Sequence, residues 1–274
     1  MRLIFAGVRG STPVSGTRFS RVGGHTSCVA VLRDGENVPS LVLDAGTGIM
    51  NLTPAFGDAP FAGTIVLTHL HWDHLQGLPF FRPADRPDAR VKLCIPEQGD
   101  PEAVLRRALS PPHFPIGPDG LQGDWTFVGL DDGVHRIEGF DVTARTIPHK
   151  GGRAFGFRVS DGERTFAYLP DRGPRGPDAS PAGETAAREL ARDVDVLVHG
   201  APFIAAEQAL ADCYGHAIVD DALELAADGR VARLVLTHHG PTRDDDAVDA
   251  IGKDAAVRFA GELTIATEGL TINL

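Results

Sequence analysis

Four side chains able to bind a metal ion fall within six residues of this chain: His69, His71, Asp73 and His74. They follow directly on Thr64-Ile65-Val66-Leu67-Thr68, an apolar, β-branched run that reads as a buried strand. Side chains alternate across an extended chain, so His69 and His71 emerge on one side. A turn after them lets Asp73 and His74 point back into the same pocket. Imidazole and carboxylate together suit Zn²⁺, Mn²⁺ or Fe. The strand before them and the apolar Leu75–Phe81 behind them argue against a solvated, histidine-rich surface loop.

Other runs place further ligands at strand ends. Strands are expected at Leu3–Ala6, Cys28–Leu32, Leu41–Leu43, Thr64–Thr68, Val91–Ile95, Phe140–Ile147, Ala154–Val159, Thr165–Leu169, Val194–Val198 and Leu234–Thr237. Leu263–Thr267 and Leu270–Leu274 are expected to close the chain as a hairpin around Glu268-Gly269. His149 follows the strand ending at Ile147, Asp171 the one ending at Leu169, and His238 and His239 the one ending at Thr237. Sites of α/β sheets are built at such C-terminal strand ends. Helices are expected from Asp100-Pro101 to about Leu109, over Glu184–Ala191, from Ile218 towards Gly229, and from a Thr242/Asp245 capping box to about Ile251. Leu78–Arg90 and Ser110–Trp125 read as long loops.

The 274 residues contain 42% apolar and 23% charged side chains, enough for a core without disulfides. No internal repeat or linker divides the chain, so one domain over 1–274 is expected. Cys28, Cys94 and Cys213 are isolated, which fits reduced thiols in a cytoplasmic protein. The N-terminal apolar run breaks at Gly7, short of a signal peptide, and no stretch approaches a membrane span. The formal charge of −11 excludes a generally basic surface, so nucleic acid is not expected as a partner.

Thr68-His69-Leu70-His71-Trp72-Asp73-His74 resembles the HxHxDH signature of the metallo-β-lactamase superfamily, and His149, Asp171 and His238 fall in the order of its remaining ligands. The likeness runs from Gly7-Val-Arg-Gly-Ser-Thr-Pro13 to the end of the chain. It implies an α/β fold, a four-layer αβ/βα sandwich of two mixed β-sheets flanked by helices. It also implies two divalent metal ions, zinc first, with manganese or iron as alternatives. One metal would take His69, His71 and His149; the other Asp73, His74 and His238, with Asp171 bridging. Spacing alone does not choose between His238 and His239. The nearest subgroup in pattern, the RNase Z-like phosphodiesterases, has its ligand directly after the strand's Thr, which selects His238.

The resemblance further implies a metal-dependent hydrolase in which Asp73 and His216 serve catalysis. Tyr214-Gly215-His216 is similar to the RNase Z-like segment that supplies a catalytic histidine, and phosphodiester cleavage profits from a general acid. The chain departs from that pattern at His199-Gly200-Ala201-Pro202-Phe203, where those enzymes carry an acidic partner. RNase Z enzymes carry a long arm between the ligands corresponding to His149 and Asp171, whereas a strand hairpin alone fits here. A small phosphodiester such as a cyclic nucleotide is therefore the expected substrate. Lactones, thioesters and RNase Z-type RNA processing are the alternatives, as is a metal-binding protein without catalysis. Phe80, Phe81, His113 and Phe114 are candidates for stacking on a base, Arg18, Arg21 and Arg153 for phosphate contacts, and Asp44 for orienting a ligand. Relatives are often dimers, so a homodimer is a further expectation.

Overall fold

The computed structural model describes residues 1–274 as two seven-stranded sheets packed face to face. The strands of the first half are β1 (Arg2–Gly7), β2 (Cys28–Leu32), β3 (Leu41–Leu43), β4 (Ala62–Val66), β5 (Arg90–Pro96) and β6 (Asp124–Leu130). Those of the second are β7 (Gly133–Ile137), β8 (Phe140–Ile147), β9 (Ala154–Ser160), β10 (Thr165–Leu169), β11 (Val196–Gly200), β12 (Arg233–Thr237) and β13 (Glu262–Ile265), and β14 (Thr271–Asn273) ends the chain. The sheet orders are β14-β1-β2-β3-β4-β5-β6 and β13-β12-β11-β10-β9-β8-β7. Each sheet pairs antiparallel at one end and parallel at the other: β3 to β6 and β10 to β13 run parallel. The helices are α1 (Thr53–Phe56), α2 (Trp72–Leu75), α3 (Pro101–Arg106), α4 (Pro181–Ala191), α5 (Gln208–Tyr214), α6 (Val219–Asp228) and α7 (Asp245–Arg258).

Three apolar layers follow from strands buried on both faces, which read as nearly unbroken apolar runs. Leu41 and Leu43 join Phe5, Val31, Phe157, Tyr168 and Val198 between the sheets. Val42, on the opposite face of the same strand, packs with Phe61, Phe81, Leu93 and Leu105 under the first-half helices. Leu197 and Leu234 meet Leu190, Leu225 and Phe259 under α4, α6 and α7. The result is the four-layer sandwich that the resemblance implies. All three cysteines are free thiols, and no helix is long and apolar enough to cross a membrane.

Several local expectations are corrected. The closing hairpin does not form: β13 pairs with β12 in one sheet and β14 with β1 in the other. The segment between them crosses the sandwich, with Ala266 N donating to Leu236 O and Gly269 N to Phe5 O. The strand β7 was not anticipated. It forms a hairpin with β8 through Glu138-Gly139, both at positive φ, as a tight hairpin turn requires. Asp244 rather than Thr242 caps α7, accepting from Ala247 N at 3.0 Å, and the helix runs on to Arg258. The helix α4 begins earlier than Glu184, at Pro181, behind the Ser180 cap. Asp100 and Pro101 do open α3, which ends at Arg106.

Candidate metal centre

The loops after β4, β8, β10 and β12 converge on one edge of the sandwich. There the ligand atoms of His69, His71 and His149 lie within 4.8 Å of one another, as do those of Asp73, His74, Asp171 and His238. Asp171 stands between the two groups. Its Oδ2 lies 2.7 Å from His74 Nε2, 3.2 Å from His238 Nε2 and 3.6 Å from His69 Nε2. Its Oδ1 lies 3.0 Å from His216 Nδ1.

The surroundings set which ring nitrogen faces the centre. Asp44 is fully buried and accepts from Thr68 N at 2.7 Å, Thr68 Oγ1 at 2.9 Å and Tyr168 OH at 2.9 Å. His74 Nδ1 donates to its Oδ2 at 2.8 Å, which turns His74 Nε2 inward. Because Thr68 Oγ1 donates to Asp44, it can accept from His69 Nδ1 at 3.0 Å, and His69 Nε2 is left free. His149 Nδ1 donates to Gly215 O at 2.8 Å. These bonds select tautomer and ring direction, as outer partners of metal-bound histidines do. Ser11 N holds Asp73 Oδ2 at 2.6 Å. Gly10 leaves room for His238, since a Cβ there would lie 2.4 Å from that ring.

Charge balance favours a cationic guest. Burial holds His69 well below the usual imidazole range and brings His149 down to about 4, so both are neutral donors. Burial also opposes ionisation of Asp171, but the facing histidines hold its carboxyl well below the carboxylate range; Asp73 is lowered in the same way. Against its own burial, His238 is raised to about 9 by Asp171 and Asp73. His69 Nε2, His74 Nε2 and Asp171 Oδ1 are buried and turned into the centre, where their short approaches to one another and to His216 make no well-aligned hydrogen bond. Such orphaned atoms cost stability unless something satisfies them. Their convergence, and a donor set of imidazoles and carboxylates, fit divalent metal ions.

The structure brings together His69, His71, Asp73, His74, His149, Asp171, His216 and His238. His239 turns away, donating from Nε2 to Ala266 O at 2.9 Å. Gly200 offers no room for a carboxylate, because a Cβ there would meet Pro170 O at 1.7 Å. Arg18, Arg21 and Arg153 are each paired with aspartates, Asp244, Asp246 and Asp249, and Asp131 and Asp132. Phe81 is fully buried against Phe56 and Phe61, so it cannot stack on a ligand. Phe80, His113 and Phe114 instead line a hollow with Trp72. Ser11, Lys150, Phe203 and Tyr214 line a cleft beside His71 and His216; Ser11, Phe203 and Tyr214 lie in segments that the resemblance covers, but the sequence assigned none of the four a role, and Lys150 was not singled out at all.

Residues 40–239 match the model of the beta-lactamase superfamily domain. The chain belongs to this superfamily. It falls in the RNase Z-like branch and is a metal-dependent hydrolase. It is 30% identical over 217 residues to the ribonuclease Z of Geobacillus kaustophilus, covering 64% of this chain and 69% of that one. Among solved structures it resembles a diphosphatase from the PhnP family, with a TM-score of 0.72 and 19% identity over 100% of this chain and 97% of the other. The short form of human tRNase Z superposes with a TM-score of 0.68 and 21% identity, covering 100% of this chain and 99% of that one. Superfamily relatives named ribonuclease Z overturn the expectation that nucleic acid is an improbable partner. The net charge misled because it sums the whole surface. The acidic start of α7, Asp244 to Asp246, counts in it as fully as the cleft does, whereas contact with a nucleic acid depends on the charge of the contacting surface alone.

Proposed function

We propose that the chain is a phosphodiesterase that holds two divalent cations, zinc first and manganese or iron as alternatives. His69, His71 and His149 would hold one and Asp73, His74 and His238 the other, with Asp171 shared between them. The observation that carries this reading is the double ligand cluster beneath an open cleft of about 660 Å³, lined by His71 and His216. Its size suits a small organic ligand. Such cations supply a water of lowered pKa and offset charge developing on a phosphoryl oxygen.

The chain's own groups do the rest. Asp44 and Ser11 N keep His74 and Asp73 in place, so little rearrangement accompanies the reaction. His216 Nδ1 faces Asp171 Oδ1, which leaves Nε2 as the atom able to hand a proton to a departing alkoxide. With no carboxylate possible at Gly200, Asp171 is the acidic group nearest to His216.

A small phosphodiester such as a cyclic nucleotide is the first substrate reading, because His149 and Asp171 are joined only by the compact β9–β10 hairpin and its flanks. RNA 3′-end processing is the second, favoured by relatives named ribonuclease Z. Metal-loaded protein should be offered an activated diester, cyclic nucleotides, a 3′-extended tRNA, a lactone and a thioester. Turnover of a cyclic nucleotide above the tRNA supports the first reading, and the reverse order the second. Turnover of lactone or thioester with every phosphodiester inert would refute both.

A further inference from the structure

One wall of the cleft is apolar and unused by the metal centre. Phe203, Leu210 and Tyr214 form it, with Leu210 46% and Tyr214 53% exposed. Large apolar side chains held in the open beside a reactive centre mark a contact surface. This wall is also rigidly tied to the ligands. Val219 N donates to Phe203 O at 2.9 Å, and the Phe203 and His216 rings lie 5.9 Å apart. Gly215, at φ 74, ends α5 between Tyr214 and His216, and its carbonyl receives His149 Nδ1–H.

Opposite charge is at hand as well. Lys150 follows His149, is exposed, and lines the same cleft while its Nζ donates to Cys213 O at 3.0 Å. Arg243 is already neutralised by Glu207. The cleft thus joins a phosphoryl-binding centre, one cation without a carboxylate partner and an aromatic wall. The hollow of Trp72, Phe80 and Phe114 shares no lining residue with it.

Resting on the phosphodiesterase reading, we propose that Phe203, Leu210 and Tyr214 bind a nucleobase or other aromatic substituent of the substrate, with Lys150 paired to its anionic oxygens. The wall offers two aromatic rings and an aliphatic side chain, a surface whose contact with a base depends little on which base it is. Base–aromatic stacking tolerates any base in this way. Both substrate readings supply such a group beside the scissile phosphate.

The test is calorimetric binding of adenosine 5′-monophosphate and of methyl phosphate to metal-loaded protein. Tyr214→Ala should raise the Kd for the nucleotide about 5- to 150-fold, the range of one lost stack. It should leave methyl phosphate binding and metal content as in the wild type, and Tyr214→Phe should restore nucleotide binding. Phe80→Ala should change neither Kd. An equal shift for both anions, no shift, or a nucleotide-specific loss in Phe80→Ala instead would overturn the proposal. Failure of the phosphodiesterase reading is separate: it appears as wild-type protein that binds these anions but cleaves no diester.

Discussion

Replacing Asp171 by Ala should leave fewer than two metal equivalents per chain and lower diester hydrolysis by more than about 10²-fold. That figure is the upper end for losing an outer-shell partner, and Asp171 is closer in than that. One carboxylate oxygen sits among His69, His74 and His238, the other beside His216. Its removal leaves the imidazoles of His69, His74, His216 and His238 around a hole whose inner face keeps only the Asp73 carboxylate, Asp44 lying behind His74 on its Nδ1 side. Asp171→Asn keeps the shape and loses the charge, so it separates charge from volume. Elemental analysis and kinetics on both variants, with near-ultraviolet circular dichroism to confirm folding, make the measurement. An Asp171→Ala protein that retains both metals and full activity would remove the bridge from the account.

His216→Ala should keep both metals and still lose about 10²–10⁴ in rate on substrates that expel an alkoxide. His216 lies at the cleft with Nδ1 directed to Asp171; its ligand atom also clusters with those of His149 and Asp171, but the two groups assigned to the metals are complete without it. On a diester that expels nitrophenolate, which leaves without protonation, the loss should shrink towards none. Equal losses on both leaving groups would show that His216 positions or packs rather than donates. No loss on either would make it a bystander.

The metal cluster was legible because its chemistry is local. His69, His71, Asp73 and His74 stand in one short stretch, and the strand before them says which way they face. The remaining ligands could be read because each ends a strand of strong apolar pattern. Asp44 was legible only as a candidate. Its hydrogen bonds to Thr68, His74 and Tyr168 depend on β3 lying beside β4 and facing β10 across the core. Spacing alone could not choose between His238 and His239; the resemblance selected His238, and the physical reason lies in the β12 loop, where Gly10 packs on the first ring and Ala266 O accepts from the second.

What failed depended on long-range pairing. Leu263–Thr267 and Leu270–Leu274 look like a hairpin because Glu268-Gly269 is a good local turn. Glu268 instead accepts from His25 N at 2.5 Å, tying the crossing between sheets to the β1–β2 loop. The cleft wall was illegible for the same reason. Phe203, Leu210 and Tyr214 carry no periodic signal that marks them as exposed, and only the return of α5 against the β8 loop assembles them. Phe81 was misjudged because Phe80-Phe81 looks symmetric in sequence, yet a short helical turn exposes the first and buries the second.

The most direct measurement is hydrolysis of bis(4-nitrophenyl) phosphate followed against metal content in one preparation. Protein purified without chelator should carry about two transition-metal equivalents per chain, lose activity as they are stripped, and regain it on readdition of zinc or manganese. Protein that holds two equivalents and cleaves neither this diester nor any other phosphodiester would contradict the account, as would diester hydrolysis that survives complete removal of metal.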